Sequence, residues 1–286
     1  MTQVLHSTDA SVAQIPPEVE ASRRSWARKR RMSRLEQVGL GIGVPIALIG
    51  IWELASAIGW IDPIFFPSPS TVADRAWKDA ANGTLAGDLG TALRLTLVRL
   101  LIGFAIGTVA GLIIGLAMGT VRAVRFGLGP LVSATYPMPK IAVLPLLLVL
   151  LGIGDASKIA LIAIGVFFMV ALNTLSGVLY SSPLHHDVAR AFGFSRPLYY
   201  RYVVIPSAMP SILTGIRLGI GQALILVVSV EFVSSNDGLG YFIWNAWQIL
   251  DVPRMFVGLA VVLVLGALAA WLGDLAERRL VPWAKR

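Results

Sequence analysis

Lys140 is the polar residue with the clearest chemical use in this chain. It closes the string Tyr136-Pro137-Met138-Pro139-Lys140 inside an apolar run, with Pro145 further on. A cation at membrane depth costs about 2.5–3.5 kcal/mol on insertion scales, so it needs a partner. The prolines remove backbone donors, and the carbonyls they free need protein or water around them. Two readings stay open. Either the broken segment lines a pathway and Lys140 draws an anion into it, or the kink is structural and an acid such as Glu231 neutralises the lysine. Gln222 and Ser229 are seven residues apart, with Glu231 two further on. Residues seven apart share a helix face, so this face is a second candidate lining, against plain interhelical hydrogen bonding. Glu53 and Arg99 read as anchors near the interfaces, and Arg217 as structural.

A different chemistry belongs to Asp187–Pro206. This segment is polar, carries three arginines, and lies between two long apolar runs. Buried in lipid it would be costly; exposed on one membrane face it is a docking surface. The residues that would carry docking are Asp187, Ala189, Arg190, Gly193 and Pro206, with Gly193 suited to a turn between two short helices. No enzyme motif is present. The chain lacks a G-x-x-x-x-G-K-[ST] phosphate loop, a G-x-S-x-G elbow and an H-E-x-x-H pair. Without cysteine, and with only His6, His185 and His186, it offers no thiolate or spaced-histidine metal site. The reading is of a chain that is not an enzyme and has no cofactor of its own.

The elements that must hold these residues follow from composition. Of 286 residues, 56% are hydrophobic and 14% charged, against about 25% charged in soluble domains. Mean hydropathy is +0.75. About 20 apolar residues cross a bilayer, and candidates lie at roughly 39–59, 93–118, 127–151, 158–180, 207–233 and 254–275. The expected architecture is an all-α membrane protein: a polar tail over 1–38, a six-helix transmembrane domain over 39–280 with the loop 181–206, and a tail over 281–286. Of 24 Lys and Arg, 16 fall in the N-terminal tail, the 120–126 turn, the 181–206 loop and the C-terminal tail. Five lie on the alternate side (Arg75, Lys78, Arg94, Lys158, Arg254). Cytoplasmic loops carry the positive excess, so both termini and the 181–206 loop are expected in the cytoplasm. The basic run over 23–34 reads as a lipid-headgroup anchor, not a nucleic-acid arm. Gly103, Gly107, Gly111, Gly115 and Gly119 repeat every four residues. Such a stripe lets another helix approach closely, within the subunit or across a dimer.

The spacing of Asp187, Ala189, Gly193, Val203, Ile205 and Pro206 resembles the "EAA" loop of ATP-binding-cassette (ABC) importer permeases, with Asp187 for the usual Glu. Further strings resemble the permeases that import nitrate, sulfonates and taurine across the bacterial inner membrane. They are F-P-S-P at 66–69, T-L-V-R-L-L-I-G-F at 96–104, the Tyr136–Leu146 string and G-I-G-D-A-S-K at 152–158. F-F-M-V-A-L-N-T at 167–174, P-S-I-L-T-G-I-R at 210–217, G-L-G-Y at 238–241 and V-P-W at 281–283 follow. The resemblance implies a type I importer permease fold whose 181–206 loop is a coupling helix. It implies a second permease subunit, a cytoplasmic ATPase dimer carrying ATP and Mg, and an extracytoplasmic solute-binding protein. The implied solute is a small anion such as nitrate, a sulfonate, taurine or bicarbonate, or alternatively an aromatic or pyrimidine-type molecule. A passive channel or membrane scaffold is the competing class; neither needs a docking segment.

Overall fold

The computed structural model describes residues 36, 39–83, 85–180, 187, 189 and 191–284. Arg190, the basic run over 23–34 and residues 285–286 lie outside the described residues. The chain divides into units over 1–69 and 70–286. In the first, α1 (Gly39–Ala57) is long and apolar enough to cross a membrane. It ends in a turn at Gly59, whose φ of 74° suits glycine.

The next helix, α2 (Pro69–Ala81), carries the chain into the second unit. A π-turn over Leu85–Leu89 leads into α3 (Gly90–Thr120). Then come α4 (Arg122–Thr135), α5 (Leu144–Leu151) and α6 (Asp155–Leu179). The short α7 (Arg196–Tyr199) winds through a π-turn into α8 (Ile205–Ser234). Last are α9 (Leu239–Gln248) and α10 (Val252–Leu280). Every regular element among the described residues is helical.

Apolar area cannot drive helices together in lipid, so close packing must. Here α6 is central, and α3 lies along it with its glycine stripe facing inward. A Cβ on Gly103 would meet Ile162 at 2.7 Å, on Gly111 Val170 at 2.8 Å, and on Gly119 Val178 at 2.7 Å. Gly107 faces Ala163 and Val166, and Gly115 faces Ala171 and Thr174. Both helices climb in step, so they run parallel. α8 covers the other side of α6 in the opposite direction, with Gly177 against Ala208 and Gly215 against Asn173 and Met169. Leu161, Ile162, Val166 and Val170 of α6 and Leu226 and Val230 of α8 pack together in one buried core cluster. At the far end of α3, Arg125 donates to the carbonyls of Met118 (2.9 Å) and Gly119 (2.6 Å) and closes the helix.

The third apolar run is broken at the expected string, into two helical pieces, Arg122–Thr135 and Lys140–Leu151, bent by 99°. The 14-residue α4 is about 21 Å long, short of the ~30 Å hydrocarbon core. The prolines explain the break: neither Pro137 nor Pro139 has an N–H to continue the helix, and the backbone turns extended at Pro139, with ψ of 113°. Among the described residues five single helices are long and apolar enough to span, and the bent pair, counted as one span, makes six.

Candidate functional site

At the end of the bundle away from Asp187, three helices and a loop deliver charge to one point. Arg99 sits on α3 with its side chain 2% exposed. Its guanidinium donates from Nε to Asp155 (2.8 Å), from Nη1 to Glu231 (2.8 Å) and from Nη2 to Asp237 (2.6 Å). Asp155 opens α6, Glu231 lies near the end of α8, and Asp237 is in the loop after it. Lys158 donates to Ser235 Oγ at 2.8 Å and lies 3.8 Å from Asp155 and Asp237. A buried charge persists only when paired and hydrogen-bonded, and the guanidinium fork meets that demand on three sides.

Glu231, 0% exposed, is the most enclosed member. Besides Arg99 it accepts from Thr96 Oγ1 at 2.8 Å and from the Gly240 amide at 2.9 Å. Thr96 Oγ1 in turn accepts from the Leu239 amide at 2.8 Å. The loop Gly238-Leu239-Gly240 wraps the carboxylate. A Cβ on Gly238 would run into the Glu231 carboxyl group, and one on Gly240 would meet the Val228 carbonyl at 2.5 Å. Gly238 also has φ of 94°, a region that favours glycine. Burial pushes the Asp237 carboxyl up, but hydrogen bonds from Arg99 and Ser235 outweigh it and hold that group below the usual carboxylate range.

This arrangement corrects two expectations. Glu231 is sealed into the ring, so it neither lines a passage with Gln222 and Ser229 nor neutralises Lys140. Arg99 is not an interface anchor but the centre of the ring. A signal was present in the sequence, because Thr96 and Arg99, Asp155 and Lys158, and Gly238 and Gly240 fall in three separate strings that resemble the importer permeases.

Lys140 has other partners. Its ammonium donates to the carbonyls of Thr135 (3.2 Å), Tyr136 (2.6 Å) and Met138 (2.9 Å) and lies 4.4 Å from the Phe168 ring centroid. All three of its donors are used where Pro137 and Pro139 leave carbonyls without a continuing helix. A cation at a helix C-terminus also meets the favourable end of the dipole. Lys140→Met is therefore expected to destabilise the protein by about 1–3 kcal/mol, with Lys140→Arg recovering most of it. Thermal unfolding in detergent reads this, and an unchanged midpoint for Lys140→Met would remove the capping role.

Gln222 and Ser229 line a groove of about 910 Å³ between α8 and α10, largely apolar, with Arg217 and Met169 also on its walls. The Ser229 hydroxyl is turned onto the Ile225 carbonyl at 2.7 Å. Arg217 bridges to Asp274 (2.6 Å) and Glu277 (3.5 Å) of α10. Tyr136, Pro137, Met138, Pro139 and Lys140 are not among the residues on these walls.

At the opposite end, Asp187 is exposed and Ala189 is 2% exposed. Gly193 has φ of 64°, and the Phe194 amide donates to the Ala189 carbonyl at 3.0 Å. That six-to-one bond across a left-handed glycine is a Schellman helix ending. The chain restarts with the Tyr199 amide bonded to the Ser195 carbonyl at 2.9 Å. Pro206 lacks the donor an unbroken α-helix needs there; the π-turn Tyr200–Val204 immediately precedes it. Phe192 and Tyr202 stand largely exposed.

Comparison with known proteins places these features. Residues 107–282 match the family described as "Binding-protein-dependent transport system inner membrane component". The taurine transport system permease protein of Escherichia coli K12 is 31% identical over 270 residues, 94% of this chain and 97% of that protein. The putative aliphatic sulfonates transport permease protein of the same organism is 34% identical over 243 residues, 84% of this chain and 90% of that one. The riboflavin transport system permease protein of Chloroflexus aurantiacus is 32% identical over 257 residues, 90% and 94% of the two chains. Among solved structures, an inward-facing MetNI methionine ABC transporter superposes with a TM-score of 0.58 at 21% identity, over 69% of this chain and 96% of that one. That likeness shows a shared type I importer permease fold. Since the match takes in α6, the Asp187–Pro206 segment and the Glu231–Gly240 wrap together, this multi-pass membrane protein belongs to the family of binding-protein-dependent transport system inner membrane components.

Proposed function

We propose that this chain forms the membrane pathway of an ATP-driven importer and takes its power stroke from a separate ATPase at Asp187–Pro206. The observation that carries this is the Schellman ending at Gly193 between two short helical pieces, with aromatic side chains standing out beside it. A short helix seated in a partner's groove passes rigid-body motion between subunits. Asp187, Ala189, Gly193 and Pro206 serve docking in this reading, as does Arg190. ATP and Mg act on the ATPase, and both chain termini lie on its side of the membrane. The Arg99 end faces outward toward a solute-binding protein, and a second copy of this chain completes the pathway. The solute is a small anion of the sulfonate or nitrate class, by analogy with the relatives. The breadth and apolar lining of the α8–α10 groove favour a second reading, a ring-containing solute, as the riboflavin permease relative illustrates.

The backbone at Gly193 supplies the test. An L-residue in the left-handed region costs about 1–2 kcal/mol, and asparagine tolerates it best. Gly193→Val is expected to abolish ATP-driven sulfonate uptake in vesicles while membrane insertion persists, and Gly193→Asn to retain most uptake. Normal uptake by Gly193→Val would sink the docking role.

A further inference from the structure

A second cavity, of about 320 Å³, opens beside the Arg99 ring. Asp88, Thr91, Asn236, Asp237, Asn245 and Arg254 are among its walls, with the Tyr241 side chain beside them. Its size is near the lower limit of about 300 Å³ for small-molecule pockets. Its chemistry is two-signed. Arg254 donates from Nη2 to Asp88 at 2.9 Å and lies 4.8 Å from the Phe242 ring centroid. Its Nε and Nη1 make no hydrogen bond among the described residues, and neither do the side chains of Thr91, Asn236, Tyr241 and Asn245. Asp88 is 63% exposed and Asp237 49% exposed. Only Oδ1 of Asp237 is engaged, by Arg99 and Ser235.

These unspent groups define what fits. A plain anion would meet one guanidinium against two carboxylates. A plain cation would face the Arg254 guanidinium, whose free donors it cannot satisfy. A molecule with an ammonium at one end and an acid anion at the other satisfies both signs at once. The half-exposed Asp88–Arg254 bridge contributes little by itself, so a ligand spanning it displaces little. We propose that this cavity binds a small zwitterion, an ammonium joined to an acid anion by a short linker, at the mouth of the permease. The ammonium lies at Asp88 and Asp237, and the anion at Arg254 and the Asn236 and Asn245 amides. This rests on the importer reading above and narrows its solute from anions in general to zwitterions.

The test uses the full chain in lipid nanodiscs without ATP, titrated with taurine, ethanesulfonate and ethylammonium and followed by saturation-transfer NMR. Taurine is expected to bind saturably, with each singly charged analogue at least about tenfold weaker, roughly the loss of one charge-assisted hydrogen bond. Asp88→Asn should bring taurine down to the level of ethanesulfonate, and Arg254→Gln should weaken both. Because those two residues are each other's partners, Thr91→Leu provides a check that touches no charge. It should block taurine while leaving the unfolding midpoint unchanged. Equal binding of taurine and ethanesulfonate, no saturable taurine binding, or undiminished binding by Thr91→Leu would each overturn the proposal. So would a finding that Asp88→Asn alters only stimulation by a solute-binding protein, because the cavity would then be a docking notch. Equilibrium binding is read without ATP, so its failure is distinct from a failure of the uptake test at Gly193.

Discussion

Arg99→Met is expected to cost about 3–5 kcal/mol of stability, because it leaves Glu231 charged and unpaired in a dry interior. The exposures of the three carboxylates set the ranking around it. Glu231 is 0% exposed and cannot be rescued by water, whereas Asp155 is 56% exposed. Asp155→Asn is thus expected to cost less than about 1 kcal/mol. Replacing both buried partners, Arg99→Met with Glu231→Leu, should recover much of the single-mutant loss, since an apolar pair leaves no orphaned charge. Unfolding midpoints of the purified chain and its yield of monodisperse protein measure all three. If the single and double variants lose the same amount, the ring contributes geometry but not charge pairing.

The second large effect is steric and carries opposite signs along one chain. Gly111→Ala places a methyl group 2.8 Å from Val170 Cβ and 2.9 Å from the Phe167 carbonyl oxygen. Neither neighbour is the loose end of a flexible side chain, so α3 and α6 must separate. Overpacking of this kind costs about 1–3 kcal/mol, more than the up to ~1 kcal/mol that alanine gains over glycine in a helix. At Gly127 in α4 a Cβ meets nothing within 4 Å, so Gly127→Ala is expected to stabilise by up to ~1 kcal/mol. Gly111→Leu should prevent stable folding. A stabilising Gly111→Ala would show that the α3–α6 seam is looser than its spacing.

The spans were legible in the sequence because membrane insertion is a compositional property, and six long apolar runs leave few alternatives. The glycine stripe was legible as a packing face because its period matches a helix, although the partner was not: α6 begins 52 residues after Gly103. The break at Pro137 and Pro139 was legible as a break but not as a right angle, since proline removes a donor without choosing the direction the chain then takes. Lys140 illustrates a local ambiguity. A cation beside prolines can serve a solute or the carbonyls the prolines release, and the sequence does not reveal the three short distances to Thr135, Tyr136 and Met138. The Arg99 ring was least legible. Its members come from four segments, each charge looks ordinary beside a helix end, and no periodicity joins them.

The ring also sets a timetable for synthesis. Arg99 and Glu231 are 132 residues apart in the chain. At about 5–20 residues per second, roughly 7–26 s separate the making of the one from the making of the other. During that interval α3 carries a guanidinium that the bilayer disfavours by about 2.5–3.5 kcal/mol. Asp155 arrives first, but at the solvated rim of the ring. The nascent α3 is therefore an unfinished insertion, held in the bilayer on credit from a helix not yet translated, and α8 completes its predecessor as well as itself.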